Sequence, residues 1–208
     1  MLFSLLMLSA SLPSEVPPVP GLCSAPVPED RETPGCYQTN EIELAGAPAQ
    51  IYWSIYEYPS LAKAARESRR HRWSAATQIH GRNWLYVLGP AGQPIPGATR
   101  RAEIGPMQVP PGEVTAHFSE AIFPPGMRTR VHSHPGPEAF YVVEGEQCMD
   151  SPSDSMMIQA GGTYIVPEGP HIQAAPAGRR NLVLILAPKD KPFVIPGGQW
   201  QPSGFCDG

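Results

Sequence analysis

Two histidines and a glutamate stand at His132, His134 and Glu138, in the order His-x-His-x3-Glu. Side chains two apart on a strand point to the same face. His132 and His134 are therefore expected to present two imidazoles side by side. Pro135, Gly136 and Pro137 supply a turn signal. Glu138 then opens the apolar run 139–143, from which it can face back toward both rings. Two imidazoles and a carboxylate converging from neighbouring strands suit a divalent transition metal. Such an ion can polarise a substrate oxygen, activate water or bind dioxygen. The chain has only 6 histidines in 208 residues, so two at this spacing, with the glutamate, carry weight.

Residues 126–145 read Gly-x5-His-x-His-x3-Glu-x6-Gly, from Gly126 to Gly145. This resembles the first motif of the cupin superfamily at every fixed position and spacer. Residues 161–171 resemble the second motif, Gly-x5-Pro-x-Gly-x2-His-x3-Asn. Gly161, Pro167 and Gly169 match, but His171 comes one residue early, with only Pro170 intervening, and Ala175 stands near the place of the Asn. The resemblance implies His171 as a fourth metal ligand. Without it, His132, His134 and Glu138 would form a two-histidine, one-carboxylate set of the kind that suits non-haem iron. The donor types accept Fe, Mn, Ni, Zn or Cu alike.

These ligands need strands to hold them. Beyond the loop at 89–97, strand signals are dense, at 102–109, 113–123, 128–134, 139–143, 155–159, 163–166, 171–174 and 181–187. Short strands between Gly and Pro turns point to a sandwich or barrel, and 20 glycines with 27 prolines favour turns over long helices. With the motif resemblance over about residues 105–190, the expected fold is mainly β: a cupin double-stranded β-helix, or jelly-roll-like barrel. The barrel domain is assigned to residues 98–208. Ahead of it, 51–58 reads as a strand and 61–70 as a helix capped by Ser60, with strands at 73–79 and 84–88. Residues 36–89 are thus a small β-α-β-β element.

Alternation outward from the ligands suggests a pocket lining. In an unbroken strand Arg128 and Arg130 share the face of His132 and His134. Arg130 could then bind an anionic substrate group. Phe140 and Val142 follow Glu138 on its face as an apolar wall, and Tyr164 is a third candidate for substrate contact. Tyr141 falls on the outer face, where it could meet a partner subunit in a homodimer. Cys148 is better suited to a disulfide or burial than to metal ligation.

Net charge is −4, and the one basic cluster, 66–72, closes the expected helix, so nothing argues for nucleic acid. The apolar run at 1–12 is too short to span a membrane and fits a signal-peptide core, although no basic residue precedes it. Residues 13–35, rich in proline, read as an extended, poorly packed leader. The 4 cysteines are even in number and fit disulfides in a secreted or periplasmic protein. Two functions stay open. One is a metal-dependent enzyme acting on a small molecule, anionic if Arg130 faces inward, with dioxygenase-type chemistry favoured over isomerase or lyase. The other is a small-molecule-binding or storage-type protein whose metal is structural or absent.

Overall fold

The computed structural model describes residues 23, 25–92 and 94–207. The expected signal segment and most of the proline-rich leader lie outside these residues. The elements begin with β1 (Ala25–Pro26), β2 (Gly35–Glu43), β3 (Gln50–Tyr58) and α1 (Leu61–Ser68). Next come β4 (Ser74–Ile79), β5 (Arg82–Gly89), β6 (Thr99–Gln108) and β7 (Val114–Phe123). The motif region holds β8 (Met127–Arg128), β9 (His132–Ser133), β10 (Glu138–Asp150), β11 (Ser155–Gln159) and β12 (Thr163–Val166). The chain closes with β13 (Ile172–Ala175), β14 (Arg179–Pro188) and β15 (Ile195–Pro196).

A nine-stranded sheet runs β1-β2-β7-β14-β10-β13-β8, with β11 and β12 also paired to β10. One long strand with several partners along its length is how this sheet curls into a barrel-like wall. A four-stranded sheet, β4-β5-β3-β6, packs against it, and β15 pairs with β9 over the motif. Sheet membership departs from the sequence expectation at two points. β2 joins the large sheet through β7 rather than the small element, while β6 closes the small sheet through β3. The end of the expected leader is also packed: β1 pairs with β2, and a Cys23–Cys36 disulfide ties the two together. Hydrophobicity along 25–35 is low, so non-local ties order it: these two, with ion pairs from Arg31 to Glu120 and from Glu32 to Arg180.

The expected helix forms but ends at Ser68, with Ser60 accepting from the Lys63 amide at its N-cap. The strands with continuous apolar runs are buried on both faces. Leu182, Leu184 and Leu186 of β14 pack toward the small sheet together with Ala139 and Tyr141 of β10. Val183, Ile185 and Ala187 face the barrel interior, with Phe140 and Val142. Tyr141 is therefore not at a subunit surface. It is buried, and its ring meets Trp84 of β5 edge-on at 6.2 Å.

The motif glycines have backbone reasons. Gly126 (φ +80°) and Gly145 (φ +73°) sit in the left-handed region that favours glycine. A Cβ on Gly145 would lie 2.0 Å from the Gly178 carbonyl oxygen, so no side chain fits there.

Candidate metal centre

A single antiparallel bridge joins His132 and His171 through reciprocal backbone hydrogen bonds of 3.2 and 2.9 Å. Directly paired residues on neighbouring strands share a face, so the two rings lie together, with centroids 4.4 Å apart. His134 follows two residues later, and Glu138 enters at the start of β10. One donor atom from each of His132, His134, Glu138 and His171 lies within 4.8 Å of all the others. That separation is close to twice a bond length of about 2.0–2.2 Å to one ion. All four residues stand in the barrel interior; Glu138 and His171 are 3% and 1% exposed.

The ring orientations are set from behind. His132 Nδ1 faces the Arg130 carbonyl oxygen at 2.9 Å, His134 Nδ1 that of Phe193 at 2.6 Å, and His171 Nδ1 that of Gly169 at 3.2 Å. A carbonyl only accepts, so each Nδ1 donates and carries the proton. Each Nε2 is then left with a bare lone pair toward the centre. Gln173 Nε2 donates to Glu138 Oε1 at 2.7 Å, which commits that oxygen and leaves Oε2 free. Oε2 lies 3.2 Å from both His134 Nε2 and His171 Nε2. These three buried atoms complete no hydrogen bond. Acceptors facing one another in a dry interior are unstable without a cation or proton between them, so the residues present fit a metal ion.

Electrostatics agree with that donor set at Glu138 and His132. Burial raises the Glu138 carboxyl, but the facing His134 and His171 outweigh it and hold the group well below its usual range. It is therefore an anion. Burial, reinforced by His171, pushes His132 down to about 4, so its imidazole is neutral and available to bind metal. Burial opposes charge on His134 too, yet Glu138 overrides it and raises that group.

Beside the ligands lies a cavity of about 20 Å³, room for little more than one water. Thr129, Gln173, Arg179 and Val194 border it, and the Cys23–Cys36 disulfide and Phe123 wall it. Arg130 does not: its side chain is exposed. The chain leaves strand geometry between β8 and β9, which breaks the alternation, and Thr129 turns inward instead. Arg128 is also exposed and pairs with Asp207 at 2.6 Å. Phe140 is fully buried in the wall behind the cavity, and the Tyr164 ring lies tilted beside it, with centroids 5.8 Å apart. The Tyr164 hydroxyl donates to Asp154 at 2.7 Å and is committed there.

Sequence reasoning missed Gln173, Arg179 and the Phe193 carbonyl. Alternation could have found the first two. Gln173 stands two residues after His171, and Arg179 shares the parity of Val183 and Ile185 on β14. The Phe193 contact has no local signal. It depends on the C-terminal segment folding back over the motif, held by β15 on β9 and by the Cys148–Cys206 disulfide.

The fold is a cupin-type β-barrel. Glu138 opens β10 of its curled sheet, and the two-stranded β15-β9 ribbon carries His132, bridged to the second-motif His171. No protein-family model and no curated protein matches the chain. Solved structures similar to limited parts of it include proteins described as cupins. One is a cupin-2 domain containing protein from Shewanella frigidimarina, 22% identical over 33% of this chain and 68% of its own, with a TM-score of 0.30. An RmlC-like cupin from Desulfovibrio desulfuricans is 25% identical over 35% of this chain and 71% of its own, with a TM-score of 0.31. An oxalate oxidase is 23% identical over 38% of this chain and 45% of its own, with a TM-score of 0.33.

Among the described residues no helix is long and apolar enough to cross a membrane. The two disulfides are consistent with an extracellular or periplasmic location.

Proposed function

We propose that this chain is a metal-dependent enzyme that acts on a small molecule, with His132, His134, Glu138 and His171 as the ligands of one divalent transition metal. The observation that carries this reading is the set of orphaned buried acceptors, His134 Nε2, His171 Nε2 and Glu138 Oε2, aimed at one point. A bound Fe, Mn, Ni, Zn or Cu ion would supply Lewis acidity or a site for dioxygen. Dioxygenase-type chemistry is the favoured class.

The chain's own residues do the rest. The backbone carbonyls of Arg130, Phe193 and Gly169 lock the three imidazoles, which keeps the donors preorganised. Gln173 holds Glu138 as a one-oxygen donor. Phe123, Val183 and Val194 keep the cavity largely apolar. Phe140 supports that wall from behind, and Tyr164 reaches the substrate only if its bond to Asp154 opens. Export to an oxidising compartment belongs to the same reading.

The small cavity also favours a second reading, a binding protein whose metal is structural. Elemental analysis of tag-free protein purified without chelator tests the first requirement. About one equivalent of a divalent transition metal is expected, lost in His134→Ala. Protein that stays folded without metal and takes none up would reject both metal readings. Dioxygen uptake by the loaded protein with small organic acids then separates the enzyme from the binding protein.

A further inference from the structure

Arg179 is an unusual residue to find beside this centre. It opens β14 and is buried, 4% exposed, on the cavity wall. Its guanidinium carbon lies over Phe123, 3.9 Å from the ring centroid. Nη2 donates to Gln173 Oε1 at 3.2 Å. With its amide oxygen turned inward, Asn181 accepts from Nη1 at 2.6 Å. Nε finds no acceptor at all. The partners Arg179 does have are neutral amides, and among the described residues no carboxylate forms an ion pair with it.

A buried guanidinium without an anion is costly. Removing it, or pairing it with a fixed acid, would be the cheaper way to build this wall. The local charge balance sharpens the point. Glu138 is the one acid at the centre, and a divalent ion there already exceeds its charge. Arg179 adds further positive charge in the same dry cavity. The cation also touches the ligand set through one relay, since Gln173 accepts from Arg179 and donates to Glu138.

We infer that Arg179 is the anion-binding residue of this site, and that the small molecule it takes is a carboxylate held between the unpartnered Arg179 Nε–H and the metal centre. This rests on the metal reading above and names its substrate class. A cavity with room for little more than one water favours the smallest carboxylates, formate first. The role expected for Arg130 from the sequence thus passes to a residue on another strand.

Formate and acetate are the probes, titrated calorimetrically into metal-loaded protein. Formamide and acetamide serve as neutral matches. The native protein should bind a carboxylate at least tenfold more tightly than its amide. Arg179→Gln should weaken that binding about ten- to a hundredfold, as expected for a lost charge-assisted hydrogen bond, with metal content unchanged. Arg179→Lys, which keeps the charge without the fork, should fall between them. Equal carboxylate binding by native and Arg179→Gln protein would overturn the inference and leave the metal reading standing. Native protein that fails to separate acid from amide would also overturn it, even if the variant does not fold. Native protein that holds no metal yet binds carboxylate through Arg179 would sink the metal reading instead.

Discussion

The nine-stranded sheet has two faces with opposite characters, and the same strands supply both. Toward the small sheet, Tyr141 and Leu184 join Trp53, Trp84, Tyr86 and Phe118 in an aromatic layer, with Tyr86 stacked on Phe118 at 5.0 Å. Toward the barrel interior, Glu138, Gln173, Arg179 and Asn181 interrupt an apolar lining with buried polar groups. On β10 the change from one character to the other takes a single residue, from Glu138 to Ala139. Strand alternation thus lets one segment carry stability on one side and chemistry on the other. The comparison teaches that the small sheet is not an appendage to the site. It covers the face that would otherwise expose Tyr141 and Leu184, and so permits β10 and β14 to be apolar on both sides.

If the two faces are separable, damage to one should leave the other intact. The largest effect should come from the aromatic layer. Trp84→Ala removes a fully buried ring and should cost about 3–5 kcal/mol of stability, seen in urea or guanidinium titrations. Metal bound per folded molecule should not change. Loss of metal at full folding would show that the faces are coupled.

Gln173→Leu should give the opposite pattern. It removes the bond that fixes Glu138 Oε1 and leaves the Arg179 Nη2 donor short of an acceptor. Metal affinity should drop about ten- to a hundredfold, measured by competition with a chromophoric chelator. The stability loss should be smaller, about 1–3 kcal/mol. A variant with native metal affinity would show that Glu138 needs no support from behind.

The smallest effect lies at the partly exposed ion pairs of the small sheet. Arg82 hydrogen bonds hold the Glu57 carboxyl at about 2, with Arg101 adding to them against partial burial. A carboxyl lowered by folding contributes stability above its unfolded pKa, near 4.5, and loses it as pH falls through about 2. Glu57→Gln should therefore flatten the acid side of the stability profile between those values. The pair is partly exposed and screened, so the change should be about 1 kcal/mol or less. Metal content at neutral pH should be untouched, and a pH profile identical to that of the native chain would remove Glu57 from the account.

Much of the fold and part of the site were legible in the residues. The barrel strands announce themselves by short apolar runs between Gly and Pro turns, and His132, His134 and Glu138 by a spacing that local geometry can read. His171 was legible despite its shortened spacer, because the bridge to His132 depends on strand pairing rather than on the length of the preceding turn. Arg130 was misplaced because alternation holds only while the strand is unbroken, and here it ends between β8 and β9. Cys148 was legible as a disulfide residue, but its partner was not.

By itself the sequence determined which side chains share a face over each unbroken strand, and with that the apolar walls of β10 and β14. Those are local properties, set by a two-residue repeat and by residue type. Tertiary structure alone decided that Arg179 rather than Arg130 meets the cavity, that Trp84 rather than a second subunit covers Tyr141, and that Phe193 returns to orient His134. Each of these joins segments far apart in the chain, and no short-range period encodes which distant strand or carbonyl will arrive at a given face.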